Sequence, residues 1–253
     1  MKKTIALLLS LCIVFTLCAC GSKTDAPKPS DSPNSSPTDE LSLPTSEEAQ
    51  ATEPYEVTYS AANSWAAVGG GFWVQTIIEV TNTGSEPLYL SAGSYDLESA
   101  DGTLLEARSL VSVYPDVINP GEKAYYNEAF TTQSDPGADA GIVPHLSIQR
   151  ATVGVIRYPV SEVSIRDKQY GGVEAIGRVT NDGETNESML YVAVVMFDAS
   201  DKPLGVLFTI LTDEVAAGET VGFTANALVL PDDFQAASVA RFETYAYPLQ
   251  MQF

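Results

Sequence analysis

Beyond residue 20 the chain has no cysteine, and its only histidine is His145. The three thiols, Cys12, Cys18 and Cys20, all lie near the N-terminus. The remaining sequence can therefore form no disulfide, Cys/His zinc centre or thiol nucleophile. A lone imidazole excludes any mechanism that needs two. A Ser-His-Asp triad would have to use His145, and no Gly-x-Ser-x-Gly elbow accompanies it. The phosphate-binding patterns Gly-x-x-x-x-Gly-Lys-Ser/Thr and Gly-x-Gly-x-x-Gly are absent as well. Gly69-Gly70-Gly71 stands before a strand-like run and reads as a turn. Basic residues are scarce, with 13 Lys/Arg against 33 Asp/Glu and a formal charge of −20. No excess remains to neutralise phosphates, which argues against a nucleic-acid partner. The apolar run Thr4–Ala19 also falls short of the roughly 20 residues that a membrane-spanning helix needs.

The N-terminus reads Met1-Lys2-Lys3, then that apolar run, then Cys20-Gly21-Ser22. A short cationic segment followed by an apolar one is the pattern of a secretory signal, expected over residues 1–19. Leu17-Cys18-Ala19-Cys20 resembles the lipobox of bacterial lipoproteins. The resemblance implies that Cys20 carries a diacylglyceryl group and becomes the mature N-terminus, while Cys12 and Cys18 leave with the signal. Loss of Lys2 and Lys3 makes the mature chain more acidic still, so attraction to anionic lipid cannot hold it at a membrane. Acyl chains, at about 0.8 kcal/mol per buried methylene, can. Residues 20–54 are rich in Ser, Thr, Pro, Asp and Glu without apolar periodicity. They are expected to form a disordered linker, because they cannot bury enough surface to offset chain entropy.

From Tyr55 the pattern is that of β-structure. Phe72–Val80 is dense in β-branched and aromatic residues and ends in the turn cluster Thr81-Asn82-Thr83-Gly84. Leu88-Tyr89-Leu90 opens a second strand that reaches Tyr95-Asp96. Further turns at Ala100-Asp101-Gly102 and Asn119-Pro120-Gly121-Glu122 precede Ala124-Tyr125-Tyr126. Regular turns without a 3.6-residue stripe predict an all-β sandwich or barrel. The second half then repeats the first. Val80-Thr81-Asn82-Thr83-Gly84 matches Val179-Thr180-Asn181-Asp182-Gly183, Leu88-Tyr89-Leu90 matches Leu190-Tyr191-Val192, and Tyr95-Asp96 matches Phe197-Asp198. Leu104-Leu105 falls against Leu204-Gly205, and Pro120-Gly121-Glu122 against Ala217-Gly218-Glu219. The offset drifts between 97 and 102 residues, and it drifts in turns, where insertions are tolerated.

These blocks predict two tandem immunoglobulin-like β-sandwich domains, 55–158 and 159–253, separable near Arg157–Ser161. The order of blocks resembles the FxLYD family of bacterial surface proteins and, more loosely, proteinase-inhibitor-like sandwich modules. In the second repeat the resemblance runs over Gly177–Asn181, Val194-Val195-Met196-Phe197-Asp198 and Gly218-Glu219-Thr220. Phe197 stands where that family has tyrosine, Met196 where it has leucine, and Val194 where it has phenylalanine. The first repeat matches only generically.

Most motif residues can be explained by turn building. Asn82 and Asn181 can bond the chain two residues on or accept left-handed backbone, and the glycines allow positive φ. Asp96 and Asp198 are read as strand ends accepting turn N–H groups, and Pro120-Gly121 as the centre of a type II turn. His145 is read as lying in a loop entering a strand, without partners for catalysis. Asp96, Glu98 and Asp101, or Asp182, Glu184 and Glu187, offer the oxygen ligands of a calcium loop, yet neither set has EF-hand spacing and solvated turns explain both. Carboxylate pairs for glycoside hydrolysis cannot be judged from spacing in a sandwich. Of the aromatics Trp65, Phe72, Trp73, Tyr89, Tyr125 and Tyr126, most are expected between the sheets, with Trp65 and Trp73 only partly buried. No binding residue can be named.

The sequence as a whole reads as a Gram-positive-type surface lipoprotein. It is expected to sit lipid-anchored on the extracellular face of the cell membrane as a non-catalytic monomer. It would bind an envelope protein or glycan, or act as a spacer, without metal or other cofactor. One rival is an inhibitor or accessory module of an envelope enzyme, using an exposed loop at Thr131–Pro144. A carboxylate-dependent hydrolase is a further rival.

Overall fold

The computed structural model describes residues 53–169, 171–227, 229–231 and 233–249. The expected signal, Cys20 as the expected lipidation site and nearly all of the expected linker lie outside the described residues. Among those described, the regular structure is all-β and antiparallel, with a single 3₁₀ turn at Ala236–Ser238. The first half contains β1 (Tyr55–Ala66), β2 (Phe72–Asn82), β3 (Leu88–Glu98), β4 (Leu104–Leu110), β5 (Val113–Tyr114), β6 (Val117–Ile118), β7 (Lys123–Thr132) and β8 (Gly141–Arg150). The second contains β9 (Val160–Asp167), β10 (Val173–Thr180), β11 (Leu190–Phe197), β12 (Pro203–Leu211), β13 (Thr220–Asn226) and β14 (Arg241–Pro248).

The sequence repeat is also a repeat of pairing. In the first half β2 lies between β1 and β7, and β3 between β4 and β8. In the second half β10 lies between β9 and β13, and β11 between β12 and β14. β12 and β13 meet only at Phe208–Asn226, a corner rather than a ladder. Each half folds its strands over its own apolar cluster. Val74, Ile78, Leu90, Tyr95 and Tyr126 lead the first cluster, and Val192, Val194, Met196, Leu207 and Phe223 the second.

A third cluster lies between the halves. Along β11 the even residues Leu190, Val192, Val194 and Met196 face the core of their own half. The odd residues Ala193, Val195 and Phe197 join Tyr114 and Tyr125 of the first half. β2 behaves likewise, since Gln75, Ile77 and Glu79, which alternate with its core residues Val74, Ile78 and Val80, are also buried. Central strands covered on both faces lose the apolar/polar alternation of a half-solvated strand. Leu190–Phe197 is accordingly almost uninterrupted in apolar residues. Tyr125 therefore lies between the halves rather than between the sheets of one half. Its hydroxyl donates to Glu243 Oε2 at 3.2 Å, as does that of Tyr245 at 2.8 Å, while Arg241 holds the other carboxylate oxygen at 2.8 Å.

Cutting the chain between Tyr158 and Pro159 would expose this shared face as one contiguous apolar patch. The separated halves are expected to keep a β-type circular dichroism spectrum, to self-associate on size-exclusion chromatography and to melt at least about 10 °C below the joined chain. Two monomeric halves that melt with the parent would show that the contact contributes nothing.

Matching turns are built alike in the two halves. Asn82 and Asn181 are buried, and each side-chain amide donates to two carbonyls. Those of Asn82 are Glu86 at 2.9 Å and Ile118 at 3.2 Å; those of Asn181 are Thr185 at 2.8 Å and Val215 at 2.9 Å. Their Oδ1 atoms accept from the N–H two residues on, Gly84 at 2.9 Å and Gly183 at 3.1 Å. Neither asparagine adopts positive φ, nor do Gly84 and Gly183, so that part of the turn expectation is corrected. At Gly84 a glycine is needed for space, since a Cβ would come within 2.9 Å of Pro54. The second turn does require positive φ: Gly121 is at +81° and Gly218 at +79°. The following N–H closes each turn onto Asn119 O at 3.0 Å or Ala216 O at 2.9 Å, as a type II turn demands. Glu122 and Glu219 then reach back to accept the N–H of Asn119 at 2.8 Å and Ala216 at 2.9 Å.

The two strand-end aspartates differ. Asp198 follows β11 and accepts the N–H of Ser200 at 2.7 Å and of Lys202 at 3.0 Å, as expected. Asp198→Ala is expected to destabilise the protein by roughly 1–2 kcal/mol in urea denaturation, because two turn N–H groups lose their acceptor. Unchanged stability would remove this role. Asp96 lies inside β3, which continues to Glu98, and Asp101 serves the turn instead by accepting from Ser99 Oγ at 2.6 Å and Thr103 N at 3.2 Å.

Candidate functional site

The segment after β4 crosses from one sheet of the first half to the other. β5 pairs with β7, and only two residues later β6 pairs with β3. Pro115, which has no N–H to give a ladder, and Asp116 form the crossing, with the Tyr114–Pro115 peptide cis. Among the described residues the second half has no strand corresponding to β5, only an isolated bridge between Glu187 and Val215 at the place of β6. This insertion projects Tyr114 and Asp116 toward β11, β12 and β14.

There they line a cleft of about 360 Å3 with walls from both halves. Tyr89, Tyr114 and Asp116 come from the first half, and Tyr191, Phe208 and Tyr247 from the second. The rings form a row. Tyr114 and Phe208 have centroids 5.0 Å apart, Phe208 and Tyr191 are 5.7 Å apart, and Tyr191 stacks on Tyr247 at 5.6 Å and 13°. Tyr191 and Tyr247 are direct cross-strand partners, and Phe208 is diagonal to Tyr191, so the sheet itself sets their spacing. Burial pushes the Asp116 carboxyl above the usual carboxylate range, against backbone N–H groups and the charge of Arg157, which pull it down. Burial likewise raises the Tyr114 and Tyr247 hydroxyls. Arg157 Nη2 is engaged elsewhere, with Val117 O at 2.5 Å and Glu122 at 3.2 Å.

Of the aromatics weighed as candidate binding residues in the sequence, Tyr89 alone reaches this cleft, joined by Leu90 and Tyr191 of the repeated blocks. Trp65 and Trp73 are half-buried as expected and sit opposite each other at the far end of the β1–β2 hairpin. Gly69, Gly70 and Gly71 turn that hairpin with positive φ. Phe72 is half-buried beside them, and the Tyr126 hydroxyl donates to Ser91 O at 2.9 Å within its own half. His145 lies within β8 rather than in a loop, where its Nε2 meets Asp96 Oδ2 at 3.0 Å on an exposed face. The acids of the first proposed calcium loop are drawn apart, Asp96 to His145 and Asp101 to Ser99 and Thr103. No group of three or more His, Cys, Asp or Glu placed to hold a metal occurs among the described residues. Strands claim both ends of Thr131–Pro144, leaving 133–140 as the loop, and Asp135 braces it to Ser64 at 2.8 Å and Gly137 N at 3.0 Å.

No protein-family model matches the chain, and no curated protein matches it.

Proposed function

We propose that the protein is a non-catalytic binding module of a bacterial envelope, anchored through lipid on Cys20 and recognising its partner in the cleft between the halves. The observation that supports this reading is the cleft itself. Concave, mostly apolar sites with a few polar groups, placed where two structural units meet, are the usual form of ligand sites. An aromatic row held by ladder pairing offers a preformed surface, which lowers the ordering cost of binding. The FxLYD-like arrangement of blocks and the lipobox-like Leu17–Cys20 support reading it as a module at the outer face of the cell membrane. The fold class would serve many other functions equally, so the site carries the argument.

The test compares the full chain with Ala92→Trp, a substitution at an exposed rim position of the cleft. Immobilised parent protein is expected to retain a component of detergent-solubilised envelope or released cell-wall glycan that the variant releases. Equal retention by both would move recognition away from the cleft, and none by either would favour the spacer role.

A further inference from the structure

The cleft combines an aromatic row with Asp116, the one ionisable acid or base among its lining residues apart from the tyrosines. We infer that it takes a small organic cation, an alkylated or quaternary ammonium group, with the charge against Asp116 and the alkyl groups against the rings. This inference rests on the cleft being the binding site.

Four observations support it. Aromatic faces attract cations through their quadrupole, and most strongly when the cation is stripped of water. Here Tyr114, Phe208 and Tyr191 supply consecutive rings 5.0–5.7 Å apart, while the buried Tyr247 ring already has the Arg157 guanidinium 5.7 Å from its centroid. Second, Asp116 is held in a setting that disfavours its charge. Desolvation is the largest influence on it, and Arg157, the nearby cation, is not among the cleft-lining residues and gives its Nη2 hydrogen bonds to Val117 O and Glu122. A ligand bringing a positive charge would offset that cost, whereas an anion would add to it. Third, the size fits: about 360 Å3 lies at the small end of ligand pockets, enough for a compact head group. Fourth, a formal charge of −20 over the chain raises the local concentration of cations and repels anions. The fold already uses this chemistry elsewhere, with Arg241 over the Phe197 ring at 3.7 Å and Arg108 over Phe130 at 4.4 Å.

Calorimetric titration of the full chain in detergent with tetramethylammonium, and separately with neopentyl alcohol, tests charge at nearly constant shape. The expected result is one-to-one binding of tetramethylammonium and at least about tenfold weaker binding of the alcohol. A tenfold or greater loss is expected in Asp116→Asn and in Tyr191→Leu, with thermal unfolding confirming that both variants fold. Equal binding of both probes would overturn the cation assignment while keeping the cleft as a site. Binding of a neutral muropeptide fragment instead, lost in Tyr191→Leu, would do the same. If no probe binds while Ala92→Trp still releases an envelope component, the cation assignment fails and the binding role stands. If neither experiment shows binding, both fall.

Discussion

Asn181→Ala is expected to lower stability by about 3–4 kcal/mol, at the upper end of what a single substitution does. The amide of Asn181 makes three hydrogen bonds that tie its own turn to a distant piece of chain. It donates to Thr185 O in the turn between β10 and β11 and to Val215 O near the next turn, and it accepts from Gly183 N. Alanine fills none of these roles, and each buried group left unpaired costs about 1–3 kcal/mol. Asn82→Ala should behave alike in the first half, where the same bonds run to Glu86 O, Ile118 O and Gly84 N. Asn181→Asp separates hydrogen bonding from packing. Its carboxylate would face two carbonyl oxygens, so its folded-state pKa would be raised above the unfolded value. Its stability should then be greatest at low pH and fall as pH rises through the unfolded carboxyl pKa of about 4. Urea denaturation of the parent and the three variants between pH 3.5 and 7 measures both effects. A loss below about 1 kcal/mol in Asn181→Ala would show that water replaces the amide.

The second large effect concerns residence at the membrane. Cys20→Ser is expected to abolish lipid attachment and leave the protein either on its uncleaved signal or shed into the medium. Attack on a lipid donor needs a thiolate, and a serine hydroxyl, with its far higher pKa, is inert in comparison. Cys18→Ser should behave as the parent, because a residue before the cleavage point is discarded. Mass spectrometry of the mature N-terminal peptide decides the matter. An unmodified Cys20 in the parent protein would remove the anchor from the proposed function.

The strands and turns of this fold were largely legible in the sequence, and the cleft was not. Alternation in Leu88–Leu97 and the Asn-Pro-Gly-Glu turn depend on near neighbours, so they can be read locally. The positions of Asn82 and Asn181 were visible too, but not their reach to Ile118 and Val215, which are distant in sequence. Pairing Asp96 with Asp198 by alignment suggests equal roles, yet β3 runs two residues further and gives the turn to Asp101. The packing of one half on the other left a trace in the unbroken apolar run Leu190–Phe197. That run reports burial on both faces without naming what covers the second one. Tyr114 and Asp116 belong to a crossing that the second half lacks, so the repeat gave no reason to notice them.

The duplicated pairing plan also creates a hazard during folding. A chain with two sets of interchangeable strand positions can thread a strand of one half into the vacancy of the other, a characteristic failure of repeat proteins. Unequal lengths oppose this: β2 has 11 residues where β10 has 8, and β3 has 11 where β11 has 8. A mismatched strand would leave ladder groups unpaired and bring the wrong residues to a face that must be apolar on both sides. Divergence between the halves would in this way act as a lock against strand exchange, and making them more alike should slow refolding even where it adds favourable contacts.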